Sequence, residues 1–135
     1  MALRFIPTKA HGVADSVTAG ALVAAPELFR LDRGSAAAIA PRANGAAAGV
    51  YSLLTDYELG ARRVLPMRAH LALDAAAGVA LASVPWLTGN ARRGVRNWLP
   101  HALVGATEVG FALLTKTEPP APKRRRLARL LRRSA

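Results

Sequence analysis

The sequence contains no cysteine. That removes a disulfide framework, a thiolate zinc site and a cysteine nucleophile. Aromatic residues make up 5% of the chain, too few for a nucleic-acid binder that works by stacking bases. Acidic residues are also scarce: Asp and Glu total 8 against 19 Lys and Arg, for a formal charge of +11. Charged residues of both signs reach only 20%, while hydrophobic residues reach 52%. A disordered basic protein has the opposite balance. With 135 residues the chain has room for about one domain, which excludes a multidomain enzyme. Nor is there a P-loop, a G-x-G-x-x-G fingerprint, an H-E-x-x-H or a G-x-S-x-G. The expectation is a protein with no catalytic residues, no cofactor and no enzyme activity.

What the chain does have is four stretches with few charges: residues 10–29, 35–55, 69–88 and 97–115. Each has the length that crosses a bilayer core as a helix. Each is marginal alone. In the third, six Leu and Val residues favour insertion by about 2–3 kcal/mol together, and Asp74 opposes them with a cost of similar order. Residues 45–54 and 75–84 carry no charge on any face, whereas a soluble bundle helix shows a polar face at a 3.6-residue period. The reading is an all-α fold of four transmembrane helices. Arg4, Lys9, Arg62, Arg63, Arg68, Lys116 and the C-terminal cations fall on one side. Arg30, Arg33, Arg92, Arg93 and Arg96 fall on the other, joined by Arg42 if it snorkels. The positive-inside rule then places the protein in the cytoplasmic membrane as a multi-pass chain with both termini in the cytoplasm. The first stretch also has the outline of a signal peptide, with a basic start and small residues at Ala24 and Ala25. The same pattern recurs in mid-chain, which argues against cleavage.

That recurrence is systematic. A shift of 59 residues lays Pro7, His11, Asp15, Leu22, Pro26, Leu28 and Pro41 on Pro66, His70, Asp74, Leu81, Pro85, Leu87 and Pro100. A shift of 60 lays Gly45 on Gly105, Tyr51-Ser-Leu-Leu-Thr55 on Phe111-Ala-Leu-Leu-Thr115, and Glu58 on Glu118. The chain therefore reads as two tandem helical hairpins, residues 1–60 and 61–118, followed by a basic tail at 119–135. Each unit holds an even number of spans, so the expectation is parallel repeats about a pseudo-two-fold axis along the membrane normal.

These residues resemble a known family, the small bacterial integral membrane proteins with SPW repeats. Each repeat of that family begins near a His-x-x-x-Asp pair and closes its first helix with Ser-Pro-Trp. The second unit here matches with His70, Asp74 and Ser83-Val-Pro85-Trp86, allowing one inserted valine. The first keeps His11, Asp15 and Pro26 but reads Ala25-Pro26-Glu27 at the close. The segment Tyr51 to Glu58 is also similar, and the likeness extends from about Arg4 to Glu118. It implies topology and no reaction, because the family's activity is uncharacterised.

His11 and Asp15, and His70 and Asp74, are spaced i,i+4, so each pair shares one helical face. Glu108 is placed at a similar depth, making His11, Asp15, His70, Asp74 and Glu108 a candidate intramembrane polar cluster. Two histidines and two or three carboxylates suit a divalent cation or a proton relay. The plainer alternative is that each carboxylate favours the positive end of its helix dipole and anchors that end. Ala48 stands where Glu108 would recur, which weakens a symmetric three-carboxylate site. Small-residue faces, such as Gly45-Ala-Ala-Ala-Gly49 and Gly12, Ser16, Gly20 and Ala24, suit close helix packing, within the chain or in a homo-oligomer. All four of Pro26, Pro85, Pro41 and Pro100 suit helix ends or first turns. Arg42 and His101 are expected at the outer interface, with Trp86 and Trp98 as anchors.

The tail opens with Pro119-Pro-Ala-Pro122, a stiff linker. Lys123, Arg124, Arg125, Arg126, Arg129, Arg132 and Arg133 follow, with Leu127, Leu130 and Leu131 on one stripe. This pattern suits anionic lipid headgroups, and no specific nucleic-acid partner is expected. The leading expectation is a structural or interaction role in the membrane. A small proton or divalent-cation carrier or sensor is the alternative, and a soluble basic bundle that binds nucleic acid is the second alternative.

Overall fold

Pro7 and Pro66 set the starts of two helices. Both have extended backbone (φ −65°, ψ 145° and φ −62°, ψ 143°), and neither helix has a side-chain cap. A proline just outside a first turn costs no hydrogen bond, since the N–H groups there have no helical partner. α1 spans Thr8–Leu28 and α3 spans Met67–Leu87; α2 spans Ala36–Leu54 and α4 spans Leu99–Leu114. Two 3₁₀ turns, Asn90–Arg93 and Val95–Asn97, lead into α4. The computed structural model describes residues 3–120, and among them the protein is all-helical with no strand. The tail cations from Lys123 to Arg133 lie outside the described residues.

The helices fall within a few residues of the four apolar stretches. One proline sits differently. Pro41 is inside α2, beyond its first turn. Its missing N–H leaves the Ala37 carbonyl without a helical donor. His101 supplies one: its Nε2–H donates to Ala37 O at 2.9 Å. His101 is buried between the helices, 4% exposed, in the first turn of α4. Arg42 does stay at the surface, paired with Glu27. In the second half, Val95–Asn97 takes the place of the first turn of α2 and winds as 3₁₀, so α4 is shorter, at 16 residues.

Glycine decides how closely the helices approach. α1 packs mainly on α2 and α3 on α4, with α2 also against α3. A Cβ on Gly45 would lie 2.6 Å from the Ala19 carbonyl oxygen of α1. Gly78 and Gly105 face each other's carbonyls across α3 and α4, where a Cβ on Gly78 would lie 2.6 Å from Gly105 O. These contacts are within the chain, whereas Gly20 and Gly110 face open space.

One end of the bundle, here the basal end, is laced by backbone hydrogen bonds. Ile6 N–H donates to Leu114 O and Lys116 N–H to Ile6 O, both at 3.0 Å. At the other seam Leu65 N–H donates to Leu54 O at 2.9 Å and Asp56 N–H to Leu65 O at 2.8 Å. The distal end carries the two connections α1–α2 and α3–α4, where the Trp86 and Trp98 rings lie 5.7 Å apart.

The distribution of polarity is inverted relative to an ordinary soluble bundle. Val13, Val50 (60% exposed), Val79 and Leu113 point outward from the four helices, while His11, His70 and Asp74 are buried inside. Among the described residues one helix, Met67–Leu87 with a mean hydropathy of 1.3, is long and apolar enough to cross a membrane. The sequence expects four such crossings. α4 falls short in length, about 24 Å at 1.5 Å per residue against a core of about 30 Å. α1 reaches the length, and polar Lys9, His11, Asp15 and Glu27 dilute its hydropathy.

Candidate metal centre

The i,i+4 spacing puts His11 and Asp15 on one face of α1, and His70 and Asp74 on one face of α3. The fold turns these two faces toward each other. The four side chains form a single group at the basal end, with one ligand atom of each lying within 4.8 Å of all the others. The two Nε2 atoms are 3.2 Å apart. His11 Nε2 lies 3.3 Å from Asp15 Oδ1 and 2.8 Å from Asp74 Oδ2. His70 Nε2 lies 3.0 Å from Asp15 Oδ2 and 3.1 Å from Asp74 Oδ2. The shortest contacts are thus between helices, not within the sequence-adjacent pairs. Both imidazoles are buried, and the Asp15 and Asp74 side chains are 14% and 7% exposed.

The histidine tautomer follows from the next layer of contacts. Thr115 Oγ1 donates to Phe111 O at 2.6 Å, and Thr55 Oγ1 donates to Tyr51 O at 2.7 Å. Each hydroxyl proton is used in that bond. The same oxygens lie 2.8 Å from His11 Nδ1 and 2.7 Å from His70 Nδ1; with the hydroxyl protons on those carbonyls they accept there, and each Nδ1 carries the ring hydrogen. A neutral imidazole then presents its lone pair at Nε2, toward the centre of the group. This is the orientation that metal-ligating histidines receive from an outer-shell partner.

Four acceptors converge there: two imidazole lone pairs and two carboxylates. Such a set requires positive charge among its members, as protons or as a cation. Tetrahedral coordination at about 2.05 Å places neighbouring ligand atoms about 3.3 Å apart; the histidine contacts here run from 2.8 to 3.3 Å, with Asp15 reaching the two rings through different oxygens, and all four donors lie within 4.8 Å of one another. Nitrogen and oxygen donors in that geometry suit a borderline divalent ion such as Zn²⁺.

Tyr51 and Ser52 complete the surround. Tyr51 donates to Asp74 Oδ1 at 2.6 Å, and its ring meets His70 edge-on at 5.1 Å. Its counterpart in the second unit, Phe111, stands 6.2 Å from the His11 ring and has no hydroxyl. Asp15 instead accepts from Ser52 Oγ at 3.3 Å. Tyr57, in the α2–α3 loop, is 2% exposed and covers Gly12, where a Cβ would collide with the ring. Its burial pushes the phenol pKa above a tyrosine's usual value. Sequence reasoning did not single out Thr55, Thr115 or Tyr51 as site residues. The signal was present, because both threonines close the repeated segments 51–55 and 111–115.

Glu108 does not join the group. Asn44 Nδ2 donates to both its oxygens, at 3.0 and 3.1 Å. It stands beside the four along a groove of about 440 Å³ between α1 and α4, which His11, Asp15 and Asp74 also border. The five-residue cluster expected from sequence is thus a four-residue centre with a neighbouring carboxylate.

No family model matches this chain, and no curated protein or solved structure matches it.

Proposed function

We propose that this protein is a multi-pass membrane protein that holds one divalent cation of the zinc class at its basal end, bound by His11, Asp15, His70 and Asp74. The observation that carries the reading is the pair of threonine hydroxyls, Thr55 and Thr115, each held against an imidazole Nδ1 so that both Nε2 atoms face the same point. Four protein donors and deep burial make a closed site, the kind that retains its ion as a structural or sensing element rather than turning over substrate. The ligands come from α1 and α3, and the supporting hydroxyls from residues at the ends of α2 and α4. An ion there ties all four helices together, so a structural role in the membrane and cation binding become one reading.

The membrane part rests on the outward-facing valines and leucines and the inward-facing charged groups. The matched bridges Ile6–Thr115 and Thr55–Leu65 occur at positions 59 and 60 residues apart, which favours the tandem-hairpin reading and, with it, kinship with SPW-repeat proteins. The positive-inside rule would put the basal end, and the basic tail with its lipid contacts, in the cytoplasm.

A second reading has its own support. The crosswise contacts, His11 to Asp74 at 2.8 Å and His70 to Asp15 at 3.0 Å, also suit two imidazolium–carboxylate pairs, a proton-loaded form of the same centre. Metal analysis of the detergent-purified protein separates the two. The metal reading expects one bound Zn²⁺ per chain after exposure to the ion and a wash, and loss of it in Asp15→Asn/Asp74→Asn. Stoichiometry near zero, or binding unchanged in the double variant, refutes it.

A further inference from the structure

α1 and α4 are the neighbours that do not close on each other. Between them runs the groove of about 440 Å³, well within the roughly 300–1,000 Å³ of ligand pockets. Its basal part borders the His–Asp centre and Glu108. Its distal part is mainly apolar: Leu22, Ala25 and Leu28 of α1 face Pro100, Leu103 and Val104 of α4, with His101 the one polar ring on that wall. From the level of Thr18 to that of Leu28 this stretch is about 15 Å long at 1.5 Å per residue. Thr18, Thr107 and Glu108 mark its polar floor.

The distal mouth has the opposite character. Leu28, Phe29 and Arg96 line both the groove and an adjoining recess, which adds Arg30. Neither Arg30 nor Arg96 has an acidic partner among the described residues, although Glu27 nearby pairs with Arg42 and lies 3.8 Å from Arg33. Arg30 is also the one non-glycine residue described with positive φ, at 52°. That conformation closes α1 in a Schellman-type turn, with Leu31 N–H donating to Pro26 O at 2.9 Å. It also sets a second guanidinium at the mouth of an apolar slot.

We propose that the α1–α4 groove binds one anionic phospholipid, with a single acyl chain in the slot between α1 and α4 and the headgroup phosphate on Arg30 and Arg96. Two guanidiniums without partners complement a phosphate diester, and planar donor forks suit its oxygens. The slot is long and narrow, as an acyl chain is. The basal end presents carboxylates and the distal mouth presents guanidiniums, so an anionic headgroup belongs at the distal mouth. This site lies at the opposite end of the bundle from the His–Asp centre and needs no metal. It does rest on the protein meeting a bilayer.

Native mass spectrometry of protein stripped of lipid in mild detergent tests it. Phosphatidylglycerol and phosphatidylcholine with identical chains are added at equal concentration. The expected result is a single phosphatidylglycerol adduct, retained at least tenfold better than phosphatidylcholine. Arg30→Gln/Arg96→Gln, at exposed positions that leave the fold intact, should abolish that preference. Ala21→Phe, which fills the slot and leaves both arginines, should lower binding of both lipids. Equal retention of the two lipids by the unaltered protein, or full binding in Ala21→Phe, overturns the proposal. Carbonate extraction reports separately on the membrane reading: a protein that carbonate releases, yet that carries the phosphatidylglycerol adduct, keeps the groove and loses the spanning topology.

Discussion

Replacing Thr55 and Thr115 by valine tests the metal centre without touching a ligand. Valine keeps the volume and β-branch of threonine and removes the hydroxyl. In Thr115→Val, His11 Nδ1 loses its acceptor at 2.8 Å, and in Thr55→Val, His70 Nδ1 loses its acceptor at 2.7 Å. Each ring can then turn or change tautomer, so Nε2 no longer points a lone pair at the centre. Loss of such an outer-shell partner lowers metal affinity about 10- to 100-fold. That is about 1.4–2.8 kcal/mol per site, at about 1.4 kcal/mol for each tenfold change. The two histidines touch at 3.2 Å, so the double variant should fall short of the sum. Stability of the metal-free protein should drop by about 1–3 kcal/mol per site, because a buried N–H is left unpaired. Thr55→Ser and Thr115→Ser keep the hydroxyl and should restore most of the affinity. Competition of the purified variants against a zinc chelator of known affinity reads the difference directly. If the valine variants hold Zn²⁺ as tightly as the unaltered protein while only their stability falls, the threonines are packing residues and the tautomer argument fails.

Other outcomes follow from the same geometry. Zn²⁺ affinity should weaken as pH falls toward 5, since both imidazoles must be neutral and both carboxylates ionised to ligate, and protons should be released on binding; calorimetry in two buffers of different ionisation enthalpy measures both. Gly105→Ala should destabilise the protein by about 1–3 kcal/mol, because the added Cβ runs into the Gly78 carbonyl, whereas Gly20→Ala should be neutral or stabilising by up to about 1 kcal/mol; thermal melts in one detergent compare them. His101→Leu should cost about 1–3 kcal/mol by stripping the Ala37 carbonyl of its donor, and Pro41→Ala in the same chain should recover part of that by restoring the helical N–H. A double-mutant cycle without coupling would mean the two residues are independent. Arg68→Gln should change stability by less than about 0.5 kcal/mol, since its pairing with Glu118 at 3.2 Å is between exposed groups.

Much of the helical framework is legible in the residues. Charge-poor stretches of bilayer length, bracketed by prolines at 7 and 66, locate α1 and α3 closely, because a proline before a first turn gives up nothing. Their i,i+4 spacing also identifies His11 with Asp15 and His70 with Asp74, since neighbours on one helical face are fixed by the 3.6-residue repeat. Four helices of bilayer length do not follow, because α4 is cut short where Val95–Asn97 winds as 3₁₀. Pro41 reads as a first-turn residue by its likeness to Pro100, and only a donor from another helix, His101, shows how an interior proline is tolerated.

The sequence by itself determined which side chains share a helical face, because that depends only on local backbone geometry. It could not determine which faces meet. The distance between His11 and His70 depends on how α1 and α3 pack, and a sequence separation of 59 leaves that open. Tertiary structure joined two i,i+4 pairs into one centre and set a threonine behind each imidazole. It also turned Glu108 toward Asn44 and left α1 and α4 parted by a groove. The physical reason is glycine-mediated approach. Gly45 and the Gly78–Gly105 contact draw α1 to α2 and α3 to α4. No comparable close contact joins α1 to α4 over their distal lengths, so the centre forms where the basal ends are laced and the groove opens where they are not.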